Sequence, residues 1–121
     1  MSNLSLEFSH EEAKNLTDVI VAGLGGWKAL KVMTGASIKY FDRNNGELCI
    51  KFKGSKKTNT VTVAYDRAKD LFNIQFYRIG PRIGCKKVGE FIEGAYTEDL
   101  EGIFEMTTGL SLTVPTVLVR R

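Results

Sequence analysis

Residues 48–77 read LCIKFKGSKKTNTVTVAYDRAKDLFNIQFY, and the alternation within them decides the fold. Leu48, Ile50 and Phe52 alternate with Cys49, Lys51 and Lys53. Val61, Val63 and Tyr65 alternate with Thr60, Thr62 and Ala64, and Phe72, Ile74 and Phe76 with Asn73, Gln75 and Tyr77. A period of two marks strands buried on one face. The connections Gly54-Ser55-Lys56-Lys57 and Asp66 to Asp70 are short and polar, so the runs form an antiparallel meander. Upstream, Ser37 to Phe41 is a further short strand, joined through Asp42-Arg43-Asn44-Asn45-Gly46, whose Asn-Gly pair is a hairpin signal. Trp27 to Met33 reads as a strand or an irregular lead into the sheet, closed by a break at Thr34-Gly35. Downstream, Gly80-Pro81-Arg82-Ile83-Gly84 is a loop, and Lys86 to Ile92 forms the last strand.

Helical patterns flank the strands. Ser9 followed by Glu12 is a capping box. Ala13, Leu16, Ile20 and Leu24 then recur at helical spacing until Gly25-Gly26, which ends the helix cheaply in left-handed geometry. Near the other end Thr97 is the expected N-cap, with Glu98, Asp99 and Glu101 in the first turn, where the helix dipole favours acids. Leu100, Ile103 and Phe104 supply its apolar stripe, and Gly109 its stop. The pattern predicts an α+β fold: an antiparallel sheet of about five strands with an N-terminal and a C-terminal helix packed on one face. Residues 1–110 make one domain. Residues 111–121 make an extended, apolar tail around Pro115, expected to add a strand to its own sheet or to that of a second copy, forming a homodimer.

A length of 121 residues suits a single domain with its own core, and 43% apolar with 26% charged residues is ordinary for a globular protein. Met1-Ser2-Asn3-Leu4 lacks a basic and apolar leader, and no run approaches the roughly 20 apolar residues of a membrane span. The expectation is a cytoplasmic protein without membrane contact, in which Cys49 and Cys85 are free thiols.

Charge is unevenly placed. Fourteen of the seventeen Lys and Arg residues fall between Lys28 and Lys87, against four acids, so a basic middle is set between two acidic ends. Such asymmetry speaks about partners rather than fold. If the apolar residues of the strands face the helices, Lys51, Lys53, Thr60, Thr62, Gln75 and Tyr77 share the open face. Lys56, Lys57, Arg67, Arg78, Arg82, Lys86 and Lys87 lie on nearby strand ends and loops. These residues are the expected contacts for nucleic acid or an acidic protein surface: Lys and Arg on phosphates or carboxylates, Tyr40 or Tyr77 stacked on a base. The competing reading is a charged sheet face that only resists edge aggregation.

Catalytic signals are weak. His10 is the single histidine and sits in a helix-capping segment. The acids at 98–105 read as helix-start and wet-face residues. Gly80-Pro81-Arg82-Ile83-Gly84 lacks the Lys-Ser/Thr of a phosphate-cradling loop. No catalytic residue, metal site or cofactor is expected.

Leu24-Gly25-Gly26, Met33-Thr34-Gly35-Ala36 and Thr108-Gly109-Leu110 after Phe104-Glu105 form a layout over residues 16–110 that resembles small uncharacterised phage- and prophage-encoded proteins. The resemblance implies an accessory protein of a mobile element in a bacterial cytoplasm and carries no functional residues. With the acidic ends, it adds one alternative to nucleic-acid binding: an inhibitor docked on a host defence or nucleic-acid-processing protein. The apolar tail adds another, a structural or assembly protein.

Overall fold

The computed structural model describes residues 7–112. The Ser9 hydroxyl accepts from the Glu12 N–H at 3.0 Å, and the Glu12 carboxylate accepts from the Ser9 N–H at 2.9 Å. This reciprocal pair satisfies donors that the helix cannot. It opens helix α1, His10–Gly23, whose Ile20 is fully buried.

Trp27 to Met33 is not a strand. It lies within helix α2, Trp27–Thr34, so among the described residues three helices cover the sheet rather than two. Ala29, Leu30 and Thr34 are buried while Lys28, Lys31 and Val32 face out. That is one face of a short helix. Lys31 lies 5.9 Å from the centre of the Trp27 ring, one turn away. Trp27 and Val32 prefer strands, but Lys28, Ala29, Leu30, Lys31 and Met33 favour a helix, and burial of Leu30 on one face agrees with them.

Five strands follow: β1 Ser37–Asp42, β2 Glu47–Lys51, β3 Thr60–Asp66, β4 Leu71–Gly80 and β5 Gly84–Ala95. Each pairs antiparallel with the next, in the order β1-β2-β3-β4-β5. The register carries the core. Leu48 stands opposite Val63, which stands opposite Ile74; Ile50, Val61 and Phe76 form the adjacent row. All six are at most 2% exposed. They pack against Ile20, Leu24 and Leu30 and against Leu100 and Phe104 of the last helix. The Phe104 ring centre is 4.9 Å from that of Phe52 and 6.1 Å from that of Phe76. The molecule is therefore the expected α+β arrangement, with one sheet face buried under helices.

Strand β5 is longer than the expected Lys86 to Ile92, and two register shifts interrupt its pairing with β4. After it, Thr97 does not cap an α-helix directly. A 3-10 turn, Thr97–Asp99, intervenes, with the Tyr96 N–H donating to the Asp99 carboxylate at 3.1 Å. Helix α3 then runs Leu100–Thr108. Leu112 is buried, and its N–H donates to the Glu105 carboxylate at 2.6 Å. The strand pairing expected of the tail falls on residues 113–121, outside the described residues. No described helix is long and apolar enough to cross a membrane.

Candidate nucleic-acid interface

The sheet face away from the helices is built from cross-strand rows. Lys51, Thr60, Tyr77 and Lys87 are successive partners across β2, β3, β4 and β5. The row beside it is Tyr40, Cys49, Thr62 and Gln75. A bulge in β1 lies between Ile38 and Tyr40, and Lys39 there is near enough for its charge to act on the Cys49 thiol.

The middle of this face is less open than alternation implies. Cys49, Thr60, Thr62 and Gln75 are all buried. Gln75 donates its side-chain amide to the carbonyls of Phe76 at 3.1 Å and Val88 at 3.4 Å, so it serves the sheet rather than a ligand. Tyr40, at 45% exposed, and Phe91, at 56%, stand higher. Glu47, Asn73, Tyr77, Lys87 and Phe91 are among the residues that line a shallow groove of about 290 Å³.

Burial sets the ionisation of this patch. It pushes the Tyr40 phenol up to about 12, helped by the neighbouring Cys49 and Glu47. It also raises Tyr77 and Cys49 above their ordinary values. Glu47 is raised by burial and then by Asp42 beside it. At neutral pH the phenols and the buried thiol are uncharged, and Cys49 is therefore a weak nucleophile. Cys49 and Cys85 are both free thiols. Among the described residues no cluster of three or more His, Cys, Asp or Glu is arranged to hold a metal ion.

The stronger feature lies at one end of the sheet. In an antiparallel meander the end of β2, the start of β3, the end of β4 and the start of β5 come together. Eight cations meet there: Lys51, Lys53, Lys56, Lys57, Arg78, Arg82, Lys86 and Lys87. The loop carrying Lys56 and Lys57 is strapped down. The Ser55 hydroxyl donates to the Thr108 carbonyl at 2.8 Å, and Arg78 donates to the Ser55 carbonyl at 3.2 Å. Asn59 pairs with both backbone groups of Ile79, at 2.8 and 2.9 Å. None of the eight forms an ion pair among the described residues; all the described ion pairs are elsewhere.

Those ion pairs gather at the other end. Arg43 faces Glu7 at 4.0 Å, Arg67 faces Glu12 at 3.3 Å, and Lys69 faces Glu93 at 4.0 Å. Arg67 also stacks 4.0 Å over the Phe8 ring. Arg67 thus belongs with the acidic N-terminal helix and not with the other expected contacts. The cleft it borders, about 710 Å³ with Phe8, Tyr65 and Phe72 in its walls, carries Glu12 and Asp70 beside Arg67, so its charge is mixed.

Of the residues expected from sequence, the fold gathers Lys51, Lys53, Lys56, Lys57, Tyr77, Arg78, Arg82, Lys86 and Lys87. It separates Arg67 and buries Gln75. Sequence reasoning missed Phe91, although the signal was there: Val88 and Ile92 turn to the core, and Phe91 shares the opposite parity with Lys87. No protein-family model, curated protein or solved structure matches the chain, so its chemistry is read from its own residues.

Proposed function

We propose that the protein binds nucleic acid through the basic end of its sheet. The observation that carries this is the gathering of eight cations, none paired with an acid among the described residues. A surface of one sign without internal partners attracts a polyanion and releases its counterions on contact. Lys51 and Lys87 flank Tyr77 on the sheet face, so a phosphate path along the row brings a base within reach of a phenol ring that stays neutral. The resemblance to phage and prophage proteins supports an accessory role in a mobile element, without enzymatic activity.

The test is fluorescence anisotropy with labelled single-stranded and duplex DNA and RNA at low salt. Replacing Lys56, Lys57, Arg82 and Lys86 together by Gln is expected to weaken binding by more than about tenfold, since each phosphate contact contributes. Replacing Arg43 and Lys69 by Gln leaves binding within about twofold, because those charges are already met by acids. Absence of binding at low salt, or equal loss in both variants, overturns the proposal. Displacement by an acidic polypeptide at equal charge concentration would move the reading to an acidic protein partner.

A further inference from the structure

The β4–β5 hairpin ends in Gly80-Pro81-Arg82-Ile83-Gly84. Gly80 and Gly84 are the last paired residues, and three residues make the turn. Gly84 closes it at φ +71°, a left-handed conformation that a side chain resists. Turn tips are usually polar. This one presents Pro81 and an isoleucine: Ile83 is 48% exposed, and every residue from Pro81 to Lys87 is exposed. Ile83 lies over Gly80, its Cγ1 3.4 Å from where a Cβ would stand, so the glycine gives it a seat on the ribbon.

The ribbon beneath the tip is stiff and basic. Asn59 clamps both backbone groups of Ile79, and the Thr58 hydroxyl donates to the Tyr77 carbonyl at 2.5 Å. Arg78 stands opposite Lys86, and Tyr77 opposite Lys87. From Leu71 to Gly89 there is no acid. A preorganised strand pair with cations along it and an apolar tip matches two requirements for entering a DNA groove. The cations hold phosphates on either side, and a rigid wedge separates a base step.

We infer that Pro81 and Ile83 form a wedge that enters the minor groove of duplex DNA and unstacks a base step. Arg78, Arg82 and Lys86 hold the flanking phosphates. The inference rests on the nucleic-acid reading above and narrows it to a duplex that is deformed on binding. Burial of the isoleucine between bases offsets part of the unstacking cost, and flexible pyrimidine–purine steps are the cheapest to open.

The experiment uses the full chain and a duplex of about two turns with a central TA step. Dyes at its two ends report bending, and 2-aminopurine at the step reports unstacking. The wild type is expected to bend the duplex by about 20–90° and to raise the 2-aminopurine emission. Ile83→Ala and the double variant Pro81→Ala/Ile83→Ala alter exposed side chains and should fold. They are expected to lose bending and emission, while affinity changes by less than about tenfold because phosphates carry most of it. Wild-type binding with a straight, stacked duplex overturns the wedge and leaves nucleic-acid binding standing. So does binding to single strands alone, or bending that survives in the double variant. If neither single strands nor duplexes bind at low salt, the nucleic-acid reading fails and the wedge fails with it.

Discussion

Gly46 sits at φ +64° beneath Phe8, and a Cβ there would stand 2.5 Å from the ring. Two costs therefore coincide: a left-handed backbone and a clash with a ring that is itself 5% exposed. Gly46→Ala is expected to lower stability by about 2 kcal/mol or more, read as a lower urea midpoint at unchanged slope. The Asn-Gly turn was legible from sequence; the ring above the glycine was not, because Phe8 lies far away in the chain. Glu47 shows the reverse case. Its carboxyl binds its proton more tightly when folded, because burial and Asp42 disfavour the charge. Ionisation therefore removes stability as pH rises from the ordinary 4.5 through the raised value. Glu47→Gln is expected to be more stable than wild type at pH 7, by less than about 1 kcal/mol since water screens a half-buried group. The two should converge below the ordinary glutamate value, which a pH series of denaturation curves checks.

Among the elements, those with long uninterrupted periods were read correctly from sequence. Helix α1 has its capping box and stripe, and β2, β3 and β4 have strict alternation, so local chemistry and tertiary burial agree. Helix α2 was not recovered, because eight residues make only about two turns, too few for a helical period to show, even though Lys28, Ala29, Leu30, Lys31 and Met33 are good helix formers. Strand β5 was recovered in part: it runs past the expected Lys86 to Ile92 at both ends, and its register shifts against β4 leave no mark in the alternation of one strand. Helix α3 is anchored by Phe104, 1% exposed and in contact with the rings of Phe52 and Phe76. Phe104→Ala is expected to cost about 3–5 kcal/mol, a large share of a small domain's stability. The check is a urea curve of the full chain, and a cost below about 1 kcal/mol would mean that α3 is not essential to the core.

Across the whole molecule the charges are sorted along the strand direction. Arg43, Arg67 and Lys69 meet acids at one end, and eight cations collect at the other. The ion pairs are exposed and add about 0–1 kcal/mol each. Their consequence is the field: they offset three of the fourteen charges of the basic middle and leave eight of the other eleven at one end of the sheet. For nucleic acid, the affinity should fall with salt at a slope of about −0.9 per phosphate, so four contacts give about −3.6. Removing Lys56 and Lys57 should reduce that slope by about 1.8, whereas Lys69→Gln should leave it unchanged. A slope near zero in the wild type would contradict a polyanion site.

The amino-acid sequence by itself determined the α+β class, the three central strands, the capped first helix, the apolar stripe of the last helix and the excess of positive charge between Lys28 and Lys87. Each is a local property: a side-chain period of two, a helical stripe, a cap, a count. The tertiary structure decided where that charge goes. Antiparallel pairing folds distant loops back to common ends, so Lys53, Lys57, Arg82 and Lys86 share one end of the sheet while Arg67, closer in sequence to Lys57, is carried to the opposite end. Pairing also decided that Gln75 is buried, with its amide donating to the Val88 carbonyl, and that Ile83 stands at a basic tip. Neighbourhood across strands is set by register, and register is fixed only when every row of the core packs at once.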